Sequence, residues 1–300
     1  MNLSSLLVFV VGMVWCMAGI TVLTARRKNC SIPHFYFFGS LWAAFILGLY
    51  LLLSGDAAQL RFAQWPLIAM TAGGAVVNGL GQATIMWNMK SAGCALPYTI
   101  PQLGFIIPFL AAGLFWGEKI TWMNLIGVFL EACAILAVFP KQNGTAENSR
   151  EFRRILIALG AFLMLGTSQL FYIYPSLPRN AALKLPESAR AFFTLFTNAL
   201  SFMIILLAGK KTCPVSWKVQ LPFSFAWGTV AATAFFILFM TFRLMGEKGQ
   251  AGLVYPVASS VEIILFTLFT RFALKEKLTW KQTAALAVIV IGIFMVKLQM

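Results

Sequence analysis

The sequence predicts an all-α integral membrane protein, with ten transmembrane helices arranged as two inverted five-helix repeats. Three observations carry that prediction. Of 300 residues, 60% are hydrophobic and only 11% charged, whereas a soluble domain has about 45–50% apolar and about 25% charged residues. The apolar residues gather into ten runs of near-spanning length, a span needing about 20 residues. A short motif closes the fourth run and opens the fifth, and recurs between the ninth and tenth.

The runs cover 3–25, 36–53, 66–89, 94–116, 122–139, 155–174, 189–208, 223–245, 251–272 and 280–296. The first lacks a basic region before it and is long enough to span, so it reads as a membrane helix rather than a cleaved signal peptide. The longest polar stretch, Pro140 to Arg154 with its Asn143-Gly144 turn, lies near the midpoint. It divides the chain into a first repeat (1–140), a linker (141–154) and a second repeat (155–300).

The recurring motif is Gly117-Glu118-Lys119-Ile120-Thr121-Trp122, matched by Lys275-Glu276-Lys277-Leu278-Thr279-Trp280. Its glutamates and lysines belong at the membrane surface. Thr121 and Thr279 are placed to cap the helix that follows, and Thr279 with Gln282 has capping-box spacing. Trp122 and Trp280 suit the interfacial aromatic belt. Five spans per repeat is an odd number, so the second copy enters the membrane upside down. Inverted repeats of this kind are a signature of secondary transporters, which expose a central site to each side in turn.

Charge and reactive residues exclude other classes. The net charge of +14 reads as loop bias rather than as a nucleic-acid surface. Of the 23 Lys and Arg, 15 follow odd-numbered spans, which predicts odd loops inside, both termini outside and residence in the cell (inner) membrane. The five cysteines, Cys16, Cys30, Cys94, Cys133 and Cys213, show no metal or disulfide spacing, and His34 stands alone. No metal, cofactor or catalytic constellation is therefore expected, and no phosphate-binding glycine loop appears.

The residues from Ser91-Ala92-Gly93-Cys94-Ala95-Leu96-Pro97 through Gly117-Glu118-Lys119, and from Gly249-Gln250-Ala251-Gly252 through Lys275-Glu276-Lys277, resemble the drug/metabolite transporter superfamily. Within it the chain is similar to ten-helix proteins with two EamA-type repeats. Gly81-Gln82 and the turn Leu274 to Lys277 are also similar to its sugar-uptake branches, the glucose/ribose porters and rhamnose-type symporters. The chain departs from those branches at Pro101-Gln102 and at Glu131. The resemblance implies a permease working by alternating access.

Polar groups inside the spans are the candidate site, because ionisable groups at membrane depth are costly and usually functional. Glu262 lies six residues after Pro256 and follows Ser259-Ser260; it is the first candidate for proton coupling and for substrate contact. Glu131 is a second coupling candidate, with an interhelical structural role as the alternative; 158 residues later stands Ile289, so the second repeat has no equivalent carboxylate. Pro97, Pro101 and Pro108 predict a kinked or broken fourth helix lining a cavity, with Tyr98 and Gln102 on it as substrate contacts and Pro256 as the hinge in span nine.

Asn78 and Gln82, four apart on one helix face, with Trp87 beyond them, would suit sugar hydroxyls and a sugar ring. Tyr255 is a further substrate contact, with Tyr172, Tyr174, Asn198 and Arg243 as secondary cavity candidates. The expected function is secondary transport of a small polar metabolite, a monosaccharide slightly favoured, with membrane lipid and a proton as the other partners. Export of amino acids or drugs on the same fold is the alternative, and an integral membrane enzyme or non-transporting membrane protein a remote one.

Overall fold

The computed structural model describes residues 3–90, 101, 103–138, 148–183, 185–208, 216–273, 275 and 279–296. Among them are ten α-helices and no strands. They are α1 (Leu3–Arg27), α2 (Ile32–Leu53), α3 (Trp65–Lys90), α4 (Ile106–Phe115), α5 (Trp122–Val138), α6 (Asn148–Ile173), α7 (Glu187–Ala208), α8 (Trp217–Gly246), α9 (Val254–Ala273) and α10 (Trp280–Met295). The polar segment 148–154 is helical and extends α6 beyond the expected span.

Six helical segments are long and apolar enough to cross a membrane: Leu3–Arg27, Ile32–Leu53, Ile155–Ser176, Glu187–Ala208, Trp217–Gly246 and Ala251–Ala273. Shorter apolar helices accompany them. Large apolar side chains cover the outside, among them Leu114, Phe129, Phe272 and Phe294, each more than 65% exposed. Water would not tolerate such a surface, and hydrocarbon would. The chain has the make-up of a multi-pass membrane protein.

Helix ends follow local chemistry. Helix α1 closes with Arg26 and Arg27 in its last turn, where cations favour the helix dipole. Asn29 then takes the left-handed conformation (φ 57°), and the Cys30 amide reaches back to the Ala25 carbonyl at 3.0 Å. Gly249 (φ 65°) ends α8 the same way, with the Gln250 amide donating to the Met245 carbonyl at 2.9 Å. Both are Schellman closures.

The two motif hairpins also agree in detail. Gly117 (φ 70°) and Lys275 (φ 56°), at matching positions of the motif, both occupy the left-handed region. The Thr121 hydroxyl accepts from the Asn124 amide at 3.2 Å. Thr279 and Gln282 form the expected reciprocal capping box, at 3.3 and 2.9 Å. Trp122 is 80% exposed and Trp280 81%, matched positions for an interfacial belt.

The most extensive packing joins residues before the midpoint to residues after it. Helix α2 packs on α7 and α8, α3 on α6 and α7, α1 on α8 and α9, α4 on α6, and α5 on α10. Exchanging each helix for the one five places along converts α1–α8 into α6–α3, α2–α8 into α7–α3 and α1–α9 into α6–α4. It returns α2–α7 and α5–α10 to themselves. Glycines allow the close crossings. A Cβ on Gly292 would lie 2.7 Å from the Cγ of Glu131 and 2.9 Å from the Gly127 carbonyl oxygen.

Contacts between loops show the helices alternating in direction. At one end the Ser188 hydroxyl donates to Asp56 at 2.6 Å, the Gln64 amide donates to the Leu183 carbonyl at 2.6 Å, and Lys248 donates to Ser4 at 2.9 Å. The N-terminus and the loops after α2, α6 and α8 therefore share this end. At the other, the Ser31 amide donates to Gln220 at 2.9 Å, tying the α1–α2 loop to the start of α8.

Candidate functional site

Helix α9 is the axis of the site. Residues 251–261 are all buried, while most of 262–273 are only partly so. It is entered through a 3-10 turn, Ala251–Leu253. Pro256 was expected to break span nine. It sits in the first turn of α9, where a missing amide hydrogen removes no helical bond, so the irregular backbone lies before it.

Pro108 occupies the same place in the first turn of α4, after a 3-10 turn at Leu103–Phe105 that interrupts span four. Pro101 is buried. Pro97, Tyr98 and Gln102 lie outside the described residues, as does the side chain of Trp87. Pro222, inside α8, is an interior proline that escaped attention because it lies just ahead of the apolar run.

The turn into α9 is held by Glu118, which was expected to be a surface charge. Its two carboxylate oxygens accept the amides of Ala251 and Gly252 at 2.9 and 3.0 Å. One half of the chain thus caps a helix of the other, satisfying donors that a helix start leaves free. Burial raises the Glu118 carboxyl above its ordinary value, opposed by the two amide donors.

Deeper along α9, two carboxylates flank the helix. Glu131 of α5 is fully buried. Ser260 of α9 is its polar neighbour; both Glu131 oxygens and the Ser260 hydroxyl are buried without a hydrogen bond in the strict sense. Glu262 faces α1 beside Cys16 and Gly19. Residues 260 and 262 point about 200° apart on a helix, and position 262 lies about 16 Å along the axis from position 251. Tyr255 and Glu262, seven residues apart, share the face toward α1, where Tyr255 stacks on Trp15 with ring centroids 5.7 Å apart.

Tyr255 belongs to a cluster that also holds Tyr172 of α6, Arg190 of α7 and Phe239 and Phe242 of α8. Tyr255 packs on Phe242 at 5.2 Å, and Tyr172 meets Phe239 edge-on at 5.8 Å. The Arg190 guanidinium lies 4.3 Å from the centroid of the Phe239 ring, a cation–π contact. It donates to the Ser176 hydroxyl at 2.7 Å and to the Tyr172 carbonyl at 2.5 Å. Arg190 is 2% exposed.

Sequence reasoning missed Arg190, counting it among loop charges. The available signal was its position inside an apolar run, three residues after Glu187, which takes Arg243 as its partner at 2.9 Å.

The other expected contacts are dispersed. Asn78 and Gln82 are half-buried on α3, and no described contact brings them to Tyr255 or to either glutamate. Asn198 is committed to packing, its amide donating to the Ser40 hydroxyl at 3.0 Å. Tyr174 lies at the cluster's edge under Arg179, 4.5 Å from its ring centroid. The arrangement brings together Tyr255, Tyr172 and Glu262, adds Arg190, and sets Glu131 on the far side of α9.

No protein-family model matches the chain, and no curated protein does. Twenty-five chains of solved structures match it in fold. One, described only as a crystal structure of a protein, superposes with a TM-score of 0.73 at 16% identity, over 98% of this chain and 96% of that one. The likeness establishes a shared fold across nearly the whole length, and at that identity it carries the fold alone.

Proposed function

We propose that the chain is a secondary transporter that moves a small polar metabolite by alternating access, built as two inverted repeats like the ten-helix drug/metabolite transporters. The observation that carries this reading is the helix pairing. The most extensive contacts run between halves, and they exchange under a shift of five helices. Inverted repeats packed around one centre are the architecture in which repeat-related bundles rock to expose a central site to each side in turn. The matched left-handed residues Gly117 and Lys275 support the duplication.

Glu131 supplies the coupling. A carboxylate enclosed by apolar helices, with the Ser260 hydroxyl as its polar neighbour, is costly in its charged form, which ties its charge to the packing of α5, α9 and α10. Glu262 is the second coupling group, at the α1–α9 contact. The cell (inner) membrane with both termini outside is the orientation favoured by the lysine and arginine bias. A monosaccharide is the first cargo to test, on the strength of Asn78 and Gln82.

The test is flux into proteoliposomes holding the purified chain, with labelled sugars, amino acids and organic acids, with and without a pH gradient. Uptake or counterflow of one class, lost in Glu131→Gln when driven by the gradient, supports the reading. Failure of every class with a folded, reconstituted protein rejects it.

A further inference from the structure

We infer that Arg190, Tyr172 and Tyr255 form a binding site for a small metabolite carrying a single carboxylate, at the meeting of α6, α7, α8 and α9. The inference rests on the transport reading of this same centre and narrows its cargo.

Charge is the first reason. The Arg190 guanidinium stays ionised wherever it is placed, and burying an ion without a counter-ion is strongly unfavourable. Its hydrogen-bond acceptors, the Ser176 hydroxyl and the Tyr172 carbonyl, are neutral, and its Nε has no partner. Glu187, one turn earlier, lies within electrostatic range of Arg190 but makes its ion pair with Arg243. Among the described residues no carboxylate lies within salt-bridge distance of Arg190. Arg190, Arg243 and Glu187 together leave one positive charge uncompensated.

Donor geometry is the second. The Tyr172 hydroxyl is buried without a partner, on a ring held in place by Phe235 and Phe239. Tyr255 is 3% exposed and lies within electrostatic range of both Tyr172 and Arg190. The free N–H of Arg190 and the free O–H of Tyr172 belong to one cluster, joined through Tyr255, and donors of this kind suit a planar carboxylate. One negative charge neutralises the site. A phosphate dianion would overshoot, and a neutral sugar would leave the arginine as it is. Trp15, stacked on Tyr255, and Phe242 offer an apolar wall for the carbon skeleton. A sugar acid, hydroxy acid or amino acid fits this chemistry better than a neutral monosaccharide.

The experiment compares matched acids and neutral analogues on the purified full chain: gluconate with glucose, lactate with lactamide, phenylalanine with phenylalaninamide, and inorganic phosphate as a further arm. Thermal unfolding in detergent reads binding, because a ligand that prefers the folded state stabilises it. At least one acid should raise the melting temperature while its neutral analogue does not, and Arg190→Gln should weaken that acid at least tenfold. Tyr172→Phe keeps the ring and serves if the arginine variant does not fold. It should weaken the same acid with the unliganded melting temperature unchanged.

The inference is overturned if neutral analogues stabilise as well as acids, if phosphate exceeds every acid, if nothing on the panel binds, or if Tyr172→Phe and Arg190→Gln both keep the acid preference. Counterflow with the same compounds separates the two claims. An acid that binds but never crosses rejects transport and keeps the site. Neutral compounds that cross without acid preference keep transport and reject the site.

Discussion

Replacing Glu118 with alanine tests the contact by which the motif of the first half holds a helix start of the second. The substitution strands the amides of Ala251 and Gly252, which now donate at 2.9 and 3.0 Å. A buried donor left without a partner costs about 1–3 kcal/mol, and loss of a helix cap typically about 1 kcal/mol. Glu118 is only partly buried, so water recovers part of the loss, and the expected destabilisation is about 2–4 kcal/mol. Glu118→Gln keeps one acceptor oxygen and should lose about half as much. Lys119→Ala, at an exposed neighbour, should lose almost nothing. Reversible unfolding in mixed micelles, followed by circular dichroism, reads all three. A Glu118→Ala variant within about 0.5 kcal/mol of the parent, the usual range for surface substitutions, would refute the cap as a stabilising contact.

Three further outcomes follow from the same packing. Burial holds the Glu118 carboxyl above its ordinary value, so the folded chain retains a proton that the unfolded chain has lost. Stability from this group is complete at low pH and declines as pH rises through the raised value. Melts of the parent relative to Glu118→Gln should show that decline, and a difference that grows with pH would contradict it. Gly292→Val places a branched side chain where a Cβ already meets Glu131 and Gly127; overpacking should cost about 1–3 kcal/mol, and a neutral result in the same unfolding assay would mean α5 and α10 cross less tightly than described. Lys275 holds a left-handed conformation, which a glycine, Gly117, holds at the matching position of the other motif. Lys275→Gly should raise stability by about 0.5–1 kcal/mol, the relief of left-handed strain less the glycine's added entropy in the unfolded chain, and a lowered melting temperature would count against the assignment.

Much of the fold was legible because the membrane simplifies the code. Apolar runs marked the helices, since lipid leaves the backbone no other partner than itself. Thr279 and Gln282 obeyed a short-range rule and form the capping box it predicts. Glu118 escaped because its partners lie 133 and 134 residues away, and nothing local distinguishes a surface carboxylate from one reaching a distant helix start. Arg190 escaped for a related reason. A cation in the first turn of a helix reads as interfacial until packing shows that turn pressed between α6 and α8. Pro256 was read as a break because proline interrupts helices, yet its effect depends on register, and α9 begins just before it.

Proton-driven flux with the parent and Glu131→Gln, side by side, bears most directly on the transport reading. Proteoliposomes of the parent should accumulate a cargo above its equilibrium level when a pH gradient is imposed. The Glu131→Gln protein, with its carboxylate replaced by an amide of similar shape, should still exchange that cargo down its own gradient but fail to accumulate it. Accumulation that survives the substitution would contradict Glu131 as the coupling group. A parent that neither accumulates nor exchanges any member of the panel would contradict transport itself.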